Sequence, residues 1–369
     1  MIIYIGLTIL VLVLAYFVKN ETYMQYHTQG GVRYGCERQQ AFNAMLCFVI
    51  FVALTAVSAC RIAVGNDYWV YRENFKLIYM GRVVASEIGF NTVVYYMQEL
   101  FGYNNYLPIF GLFSIVTCAF FSKALYDQSK YFMFSLFIFM TSGYYFNSLN
   151  NIRYYLAIAI TMYATKYVLR GEYFKFILWI LFGAMFHKSI ILVIPSYIIL
   201  RMVSNIKINK WITLVVTLAL SSMLFFEDVY RSIIFYFYPF YENSSFDNGE
   251  VSIVNIAKGI AVVGLALLFY KKSVLGNPRM QFFLWLNIVG LAINMFGSFI
   301  PEVTRIGNYF YISQIYFIPE ILMKIKHPVW KRLLLIGTSI AFLLYFALFL
   351  YKSYDVNIRL LPYLNWIFN

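Results

Sequence analysis

Charge is scarce in this chain: Asp, Glu, Lys and Arg make up 12% of its 369 residues, against 62% hydrophobic and 21% aromatic. Water-soluble globular domains carry roughly 25% charged residues, so that class is excluded. Cysteine is equally sparse. Cys36, Cys47, Cys60 and Cys118 form no CxxC pair and no metal-ligand spacing, which leaves them as small packing residues. A DxD-like acidic pair is absent too, so neither a metal nor another cofactor is expected. There is no fixed-period repeat and no low-complexity tract, which argues against an appended soluble module. The opening MIIYIGLTILVLVLAYFVKN lacks a basic n-region and a small-residue cleavage site, and is expected to be a retained span rather than a removed signal.

What the chain has in quantity is apolar length. Stretches of about 17–22 residues recur from end to end, long enough to cross a hydrocarbon core of ~30 Å, and mean hydropathy is +0.69. They predict an all-α, polytopic transmembrane helix bundle, one integral membrane domain over residues 1–369. Twelve spans are expected, at 2–18, 41–59, 105–122, 131–148, 152–169, 174–186, 189–200, 211–226, 252–270, 281–300, 304–323 and 332–350.

The net charge of +13 raises the question of nucleic acid, but the basic residues lie in alternate loops instead. Eighteen of the 29 sit between spans one and two, three and four, and so on to Lys324, Lys326, Lys331 and Arg332, with four acids among them. An excess of Lys and Arg marks cytoplasmic loops. Both termini then face outside. So do the loop at 61–104, with an amphipathic helix from about Glu87 that carries Asn91 and Gln98, and an acidic, aromatic loop at 227–251. Residues 174–200 could form one helix of 27 residues with His187 and Lys188 at its centre. That would invert every later loop. A short broken-helix hairpin with the pair at its turn keeps the alternation, and is the expectation.

Polar residues converge on the outer side. Asn150 or Asn151 is expected to cap an inward-running helix with Arg153 in its first turn, HKS starts another with Lys188, and a Thr304 cap starts a third with Arg305. Cations at helix N-termini oppose both the helix dipole and the positive-inside tendency. An anion resolves the conflict, and a diphosphate suits such a site. Each residue also has a plainer reading: Arg153 snorkelling, His187 and Lys188 as a structural turn, Asp67 capping a turn, Glu87 on an exposed face. Trp69, Tyr95, Tyr96, Tyr144, Tyr145, Tyr236 and Tyr238 read mostly as interfacial belt anchors, with stacking on sugar rings open for a few.

GNDYWVYRENF, then EIGFNTVVYYM, then LNNIRYYLAIAITMYATKYVLRGEYFKFILWILFGAMFHKSIILVIP resemble the EpsG-type, Wzy-like polysaccharide polymerases of bacterial inner membranes. The likeness is fullest over residues 60–200; where the family pattern often has glutamine after the arginine, this chain has Tyr154. The resemblance points towards a GT-C-like glycosyltransferase architecture. It implies transfer of a glycan from undecaprenyl diphosphate onto a new lipid-linked repeat unit, at the periplasmic face. Arg153, Lys188 and Arg305 would then serve the diphosphate, with Tyr68, Tyr71 and Tyr309 lining the substrate, and His187, Asp67 and Glu87 competing for the role of general base. Implied partners are undecaprenyl-diphosphate-linked glycans, membrane lipids, a chain-length regulator and a flippase, and no nucleic acid. A lipid-linked oligosaccharide flippase or transporter, an O-antigen ligase and a membrane O-acyltransferase are the alternatives. A flippase would be expected to show inverted repeats and ionisable residues at both leaflets.

Overall fold

A computed structural model describes residues 1–19, 33–204, 226–237, 239, 242, 252–297, 302–356 and 358–367. Among them all regular structure is helical, and the one β-type contact is an isolated bridge between Arg61 and Asn365. Four helices are long and apolar enough to cross a membrane: Arg38–Ala59, Leu107–Gln128, Pro278–Phe296 and Pro328–Lys352. The last three carry proline in the first turn, where no intrahelical donor is needed. At 1.5 Å per residue, 22 residues give about 33 Å. The apolar helices Ile2–Tyr16, Tyr173–Ala184, Ile253–Leu268 and Gln314–Met323 are shorter.

Two expected spans are divided. The 131–148 stretch forms Phe132–Thr141 and Tyr144–Asn147, separated at Gly143, whose φ of 80° is left-handed. The 304–323 stretch forms Val303–Tyr311 and Gln314–Met323, and Glu302, not Thr304, occupies the N-cap position. The expected span at 211–226 lies outside the described residues apart from Phe226, as does most of the acidic 241–250 cluster. Residues 174–200 do not make one helix. Tyr173–Ala184 stops, a 3-10 turn runs over Lys188–Leu192, and Val193–Ser204 follows. Gly183 gives the Ile190 side chain room to pack back after the break, since a Cβ there would stand 2.7 Å from Ile190 Cδ1.

The chain forms two compact units. The first comprises Met1–Tyr167, Glu172–Ile191 and His327–Asn369. Leu107–Gln128 packs along Arg33–Ala59, and Phe132–Thr141 packs on Ile2–Tyr16 and Pro328–Lys352. The 61–104 loop holds two helices, Asp67–Tyr79 and Ile88–Phe101, rather than one. They meet through Tyr71, Phe75 and Phe90, packed on Phe110 and Phe113 of Leu107–Gln128. Gln98, expected on the polar face, is buried and donates to the Phe75 carbonyl oxygen at 2.7 Å. Tyr144 and Tyr145 are buried as well, not belt anchors, and Tyr145 donates to the Leu54 carbonyl at 2.6 Å.

The segment after the last long helix folds back on residues 60–66. Ile62 N–H donates to the Leu364 carbonyl (2.9 Å), Gly65 N–H to that of Arg359 (2.8 Å), and Trp366 N–H to that of Cys60 (3.1 Å). Tyr4 and Tyr363 add hydroxyl bonds to the carbonyls of Leu360 (2.8 Å) and Val57 (2.9 Å). Beneath this strap lies the fully buried Arg61, which donates to the Leu149 carbonyl (3.1 Å) and Ser114 Oγ (3.0 Å) and stacks over Phe110.

The second unit comprises Val168–Gly171 and Leu192–Lys326. Its centre is Pro278–Phe296, which contacts Val193–Ser204, Ile253–Leu268 and Val303–Tyr311. Polar groups join Pro278–Phe296 to Gln314–Met323: Asn287 donates to Ser313 Oγ (3.1 Å) and Gln314 donates to Asn287 Oδ1 (2.9 Å), all three buried, and Arg279 pairs with Glu320 at 3.0 Å. Side-chain contacts of this kind hold apolar helices together where no hydrophobic force separates helix from lipid.

A candidate site around an arginine–glutamate pair

Asn150 and Asn151, just before the helix Ile152–Arg170, tie two chain segments together. Asn151 Oδ1 accepts from Tyr154 N–H (3.2 Å), as an N-cap should, and also from the Tyr71 hydroxyl (3.1 Å). Asn150 Oδ1 accepts from Asp67 N–H (2.9 Å), so it satisfies the first turn of a different helix. Gly65 allows the close approach: its φ is +93°, and a Cβ would lie 2.7 Å from Asn150 Cα. Asp67 and Tyr71, four residues apart, therefore stand on one helix face beside the start of Ile152–Arg170.

Arg153 projects from that start. Its Nη1 donates to Glu87 Oε2 at 2.7 Å, and its guanidinium covers the ring of Phe90 at 5.2 Å. The side chains of Arg153 and Glu87 are 19% and 14% exposed. Arg153 Nε is buried and makes no hydrogen bond among the described residues. Burial raises the Tyr71 hydroxyl above its ordinary pKa, and the neighbouring Arg153 opposes that shift.

Glu87 precedes the helix Ile88–Phe101, and Gly89 lets that helix start pack against the backbone of Met185. The contact brings in the His187–Lys188 turn. Glu87 Oε1 accepts the Lys188 N–H at 3.0 Å and lies 3.7 Å from His187 Nδ1. Tyr154 meets the imidazole edge to face at 5.6 Å. One carboxylate thus joins three segments, at residues 87, 153 and 187–188, with a cation, an imidazole and a turn N–H around it.

The expected residues divide between the two units. Asp67, Tyr71, Glu87, Arg153, His187 and Lys188 belong to the first unit, whereas Arg305 and Tyr309 belong to the second. There Arg305 pairs with Glu302 at 3.1 Å, and Tyr309 is buried, its carbonyl accepting from the Tyr197 hydroxyl (2.5 Å). Tyr68 is buried against Phe110, with stacked rings 4.6 Å apart. Phe90 beneath Arg153 and the Asn151 link to Tyr71 had no local signal in the sequence, since each depends on a distant segment.

An apolar all-helical chain with several helices able to cross a bilayer is an integral membrane protein of the polytopic kind. Residues 44–365 match the profile described as the EpsG family, and the chain belongs to that family, one of Wzy-like polysaccharide polymerases. No curated protein and no solved structure matches it.

Proposed function

We propose that this protein joins lipid-linked repeat units at the outer face of a bacterial inner membrane, with about twelve crossings that include the shorter helices. The glycan moves from its undecaprenyl diphosphate carrier to the incoming unit. The acceptor hydroxyl oxygen attacks the anomeric carbon of the donor sugar, the bond from that carbon to the diphosphate oxygen breaks, and undecaprenyl diphosphate departs. The hydroxyl proton passes to a base.

The observation that carries the reading is the Arg153–Glu87 pair at the His187 turn in a chain of this family. Glu87 holds the guanidinium in place, and the guanidinium's positive charge stabilises the phosphate oxygens as their negative charge grows. Lys188 serves the same diphosphate, and Tyr71 walls the site. Among the three candidate bases the geometry favours His187. A proton on Nδ1, facing Glu87, makes Nε2 the basic nitrogen. Glu87, already accepting from Arg153 and Lys188, acts as the positioning group, and Asp67 is the reserve candidate. Tyr68, packed in the interior, supports the walls of the substrate path.

Lipid-linked glycans extracted from a deletion strain test this reading. Accumulated single repeat units are the expected result. Accumulated long lipid-linked chains point to a ligase, and loss of outward-facing units to a flippase; either overturns it.

A further inference from the structure

The helix pair that supplies Tyr71 and Glu87 carries a second cluster, which the reaction above does not use. The helices run away from Arg153 in the same sense: Tyr71 meets Phe90 near one end, and Tyr79 meets Tyr95 at the other. Tyr71 and Tyr79 are eight residues apart, about 12 Å of helix. Tyr79 stacks on Tyr95 with centroids 5.7 Å and planes 26° apart, and on Tyr103 at 5.2 Å and 28°. Tyr103 reaches Tyr79 because Gly102, at φ +95°, ends the helix and turns the chain back. Glu99, one turn beyond Tyr95, stands beside the hydroxyls of Tyr79 and Tyr95, and its carboxylate raises the pKa of both.

Packing does not explain this array. The pair's own interior is Phe75, Phe90 and Val94, whereas Tyr95 and Tyr103 are 40% and 42% exposed. A belt of tyrosines at a lipid interface needs no carboxylate among the rings, and a carboxylate repels anionic headgroups and phosphates. The exposed rings of Tyr95 and Tyr103 beside a carboxylate and phenol hydroxyls match an uncharged pyranose. Its C–H face lies on an aromatic ring, and its hydroxyls donate to the carboxylate.

We propose that Tyr79, Tyr95, Tyr103 and Glu99 form an auxiliary pyranose-binding platform that retains the glycan away from the reacting bond and so lengthens the polymer. The proposal rests on the polymerase reading. A short oligosaccharide spans the way from the Arg153 site to the platform along one helix pair. Holding the chain there raises its effective concentration at the site for the next transfer.

The test uses the full-length protein in detergent micelles, with the lipid-free repeat-unit oligosaccharide of the host glycan as probe. Saturation-transfer NMR reads binding, and gel profiles of polymer from complemented deletion strains read chain length. The Tyr95→Ala/Tyr103→Ala variant and the exposed-site variant Glu99→Gln are each expected to weaken probe binding about 2–10-fold, the size of a lost aromatic or polar contact. Modal chain length should fall while single units are still consumed. Tyr95→Phe, which keeps the ring, should retain most of the chain length. Unchanged binding and chain length in both variants would overturn the platform, even where the deletion strain accumulates single units and the polymerase reading stands. Shortening that merely follows reduced protein level in the membrane would overturn it as well, leaving the tyrosines as a lipid belt.

Discussion

Replacing Glu87 with Gln removes one charge, keeps the side-chain volume and leaves an oxygen to accept the Lys188 N–H. The cost falls on Arg153, whose guanidinium would remain four-fifths buried without its carboxylate. Exposed ion pairs are worth roughly 0.2–1 kcal/mol. Stripping one partner from a fully buried pair costs roughly 3–5 kcal/mol. At 19% and 14% exposure and 2.7 Å, this pair lies between those limits. About 2 kcal/mol is a reasonable expectation, or about 30-fold in the folded-to-unfolded ratio. Arg153→Met alone leaves a carboxylate that still accepts the Lys188 N–H, and should cost less. In the double variant no uncompensated charge remains, so at least ~1 kcal/mol should return relative to the summed single costs. Stability is read as denaturation of the purified protein in detergent micelles, and polymer length on gels from complemented cells. The double variant should regain stability and still make no polymer, because the diphosphate cation is gone. Additive single and double costs, within ~0.5 kcal/mol, would refute the pairing as an energetic unit.

Arg153→Lys keeps the charge but not the planar fork, so polymer should be largely lost at normal protein levels; normal chain length would retire Arg153 as a phosphate ligand. His187→Ala should lower turnover about 10²–10⁴-fold if the imidazole is the base. His187→Gln decides between base and orienter, since near-normal polymer would move the base to Asp67. Gly65→Ala should cost about 2–4 kcal/mol, combining a strained φ of +93° with a backbone clash against Asn150, and unchanged protein levels on heating would contradict that contact. Single cysteines at 67, 153 and 305 should label from outside, and those at 272 and 328 from the cytoplasm; the reverse pattern would invert the proposed site.

Much of the helical layout was legible because apolar length is a local property. The break near His187 could be read from loop charges, since an unbroken 174–200 helix would have put basic loops on the wrong side. The site's organisation could not be read that way. Glu87 and Arg153 are 66 residues apart, and Glu87 and Lys188 are 101 apart, so their pairing is a product of packing. Gln98 looked like a surface residue because polarity usually marks the wet face; here it satisfies a buried carbonyl, which polarity alone does not reveal. The helix Asp67–Tyr79 is hard to read from sequence because its charges obscure the buried face of Tyr68, Tyr71, Phe75 and Ile78. Thr304 failed as a cap because Glu302 takes the left-handed position before the helix.

The return of residues 358–366 to residues 60–66 has a consequence for biogenesis. The Tyr363–Val57 bond joins positions 306 residues apart, and the segment it secures leads directly into Asp67 and Tyr71. At ~5–20 residues per second, roughly 15–60 s pass between synthesis of the two partners. Through that interval the early helices sit in the bilayer without their late-made strap, and Arg61 has no cover from that side. A nascent chain at this stage is a natural client for membrane chaperones and quality-control proteases. Tags fused directly after the strap should therefore prolong that exposure more than the same tags placed at the N-terminus.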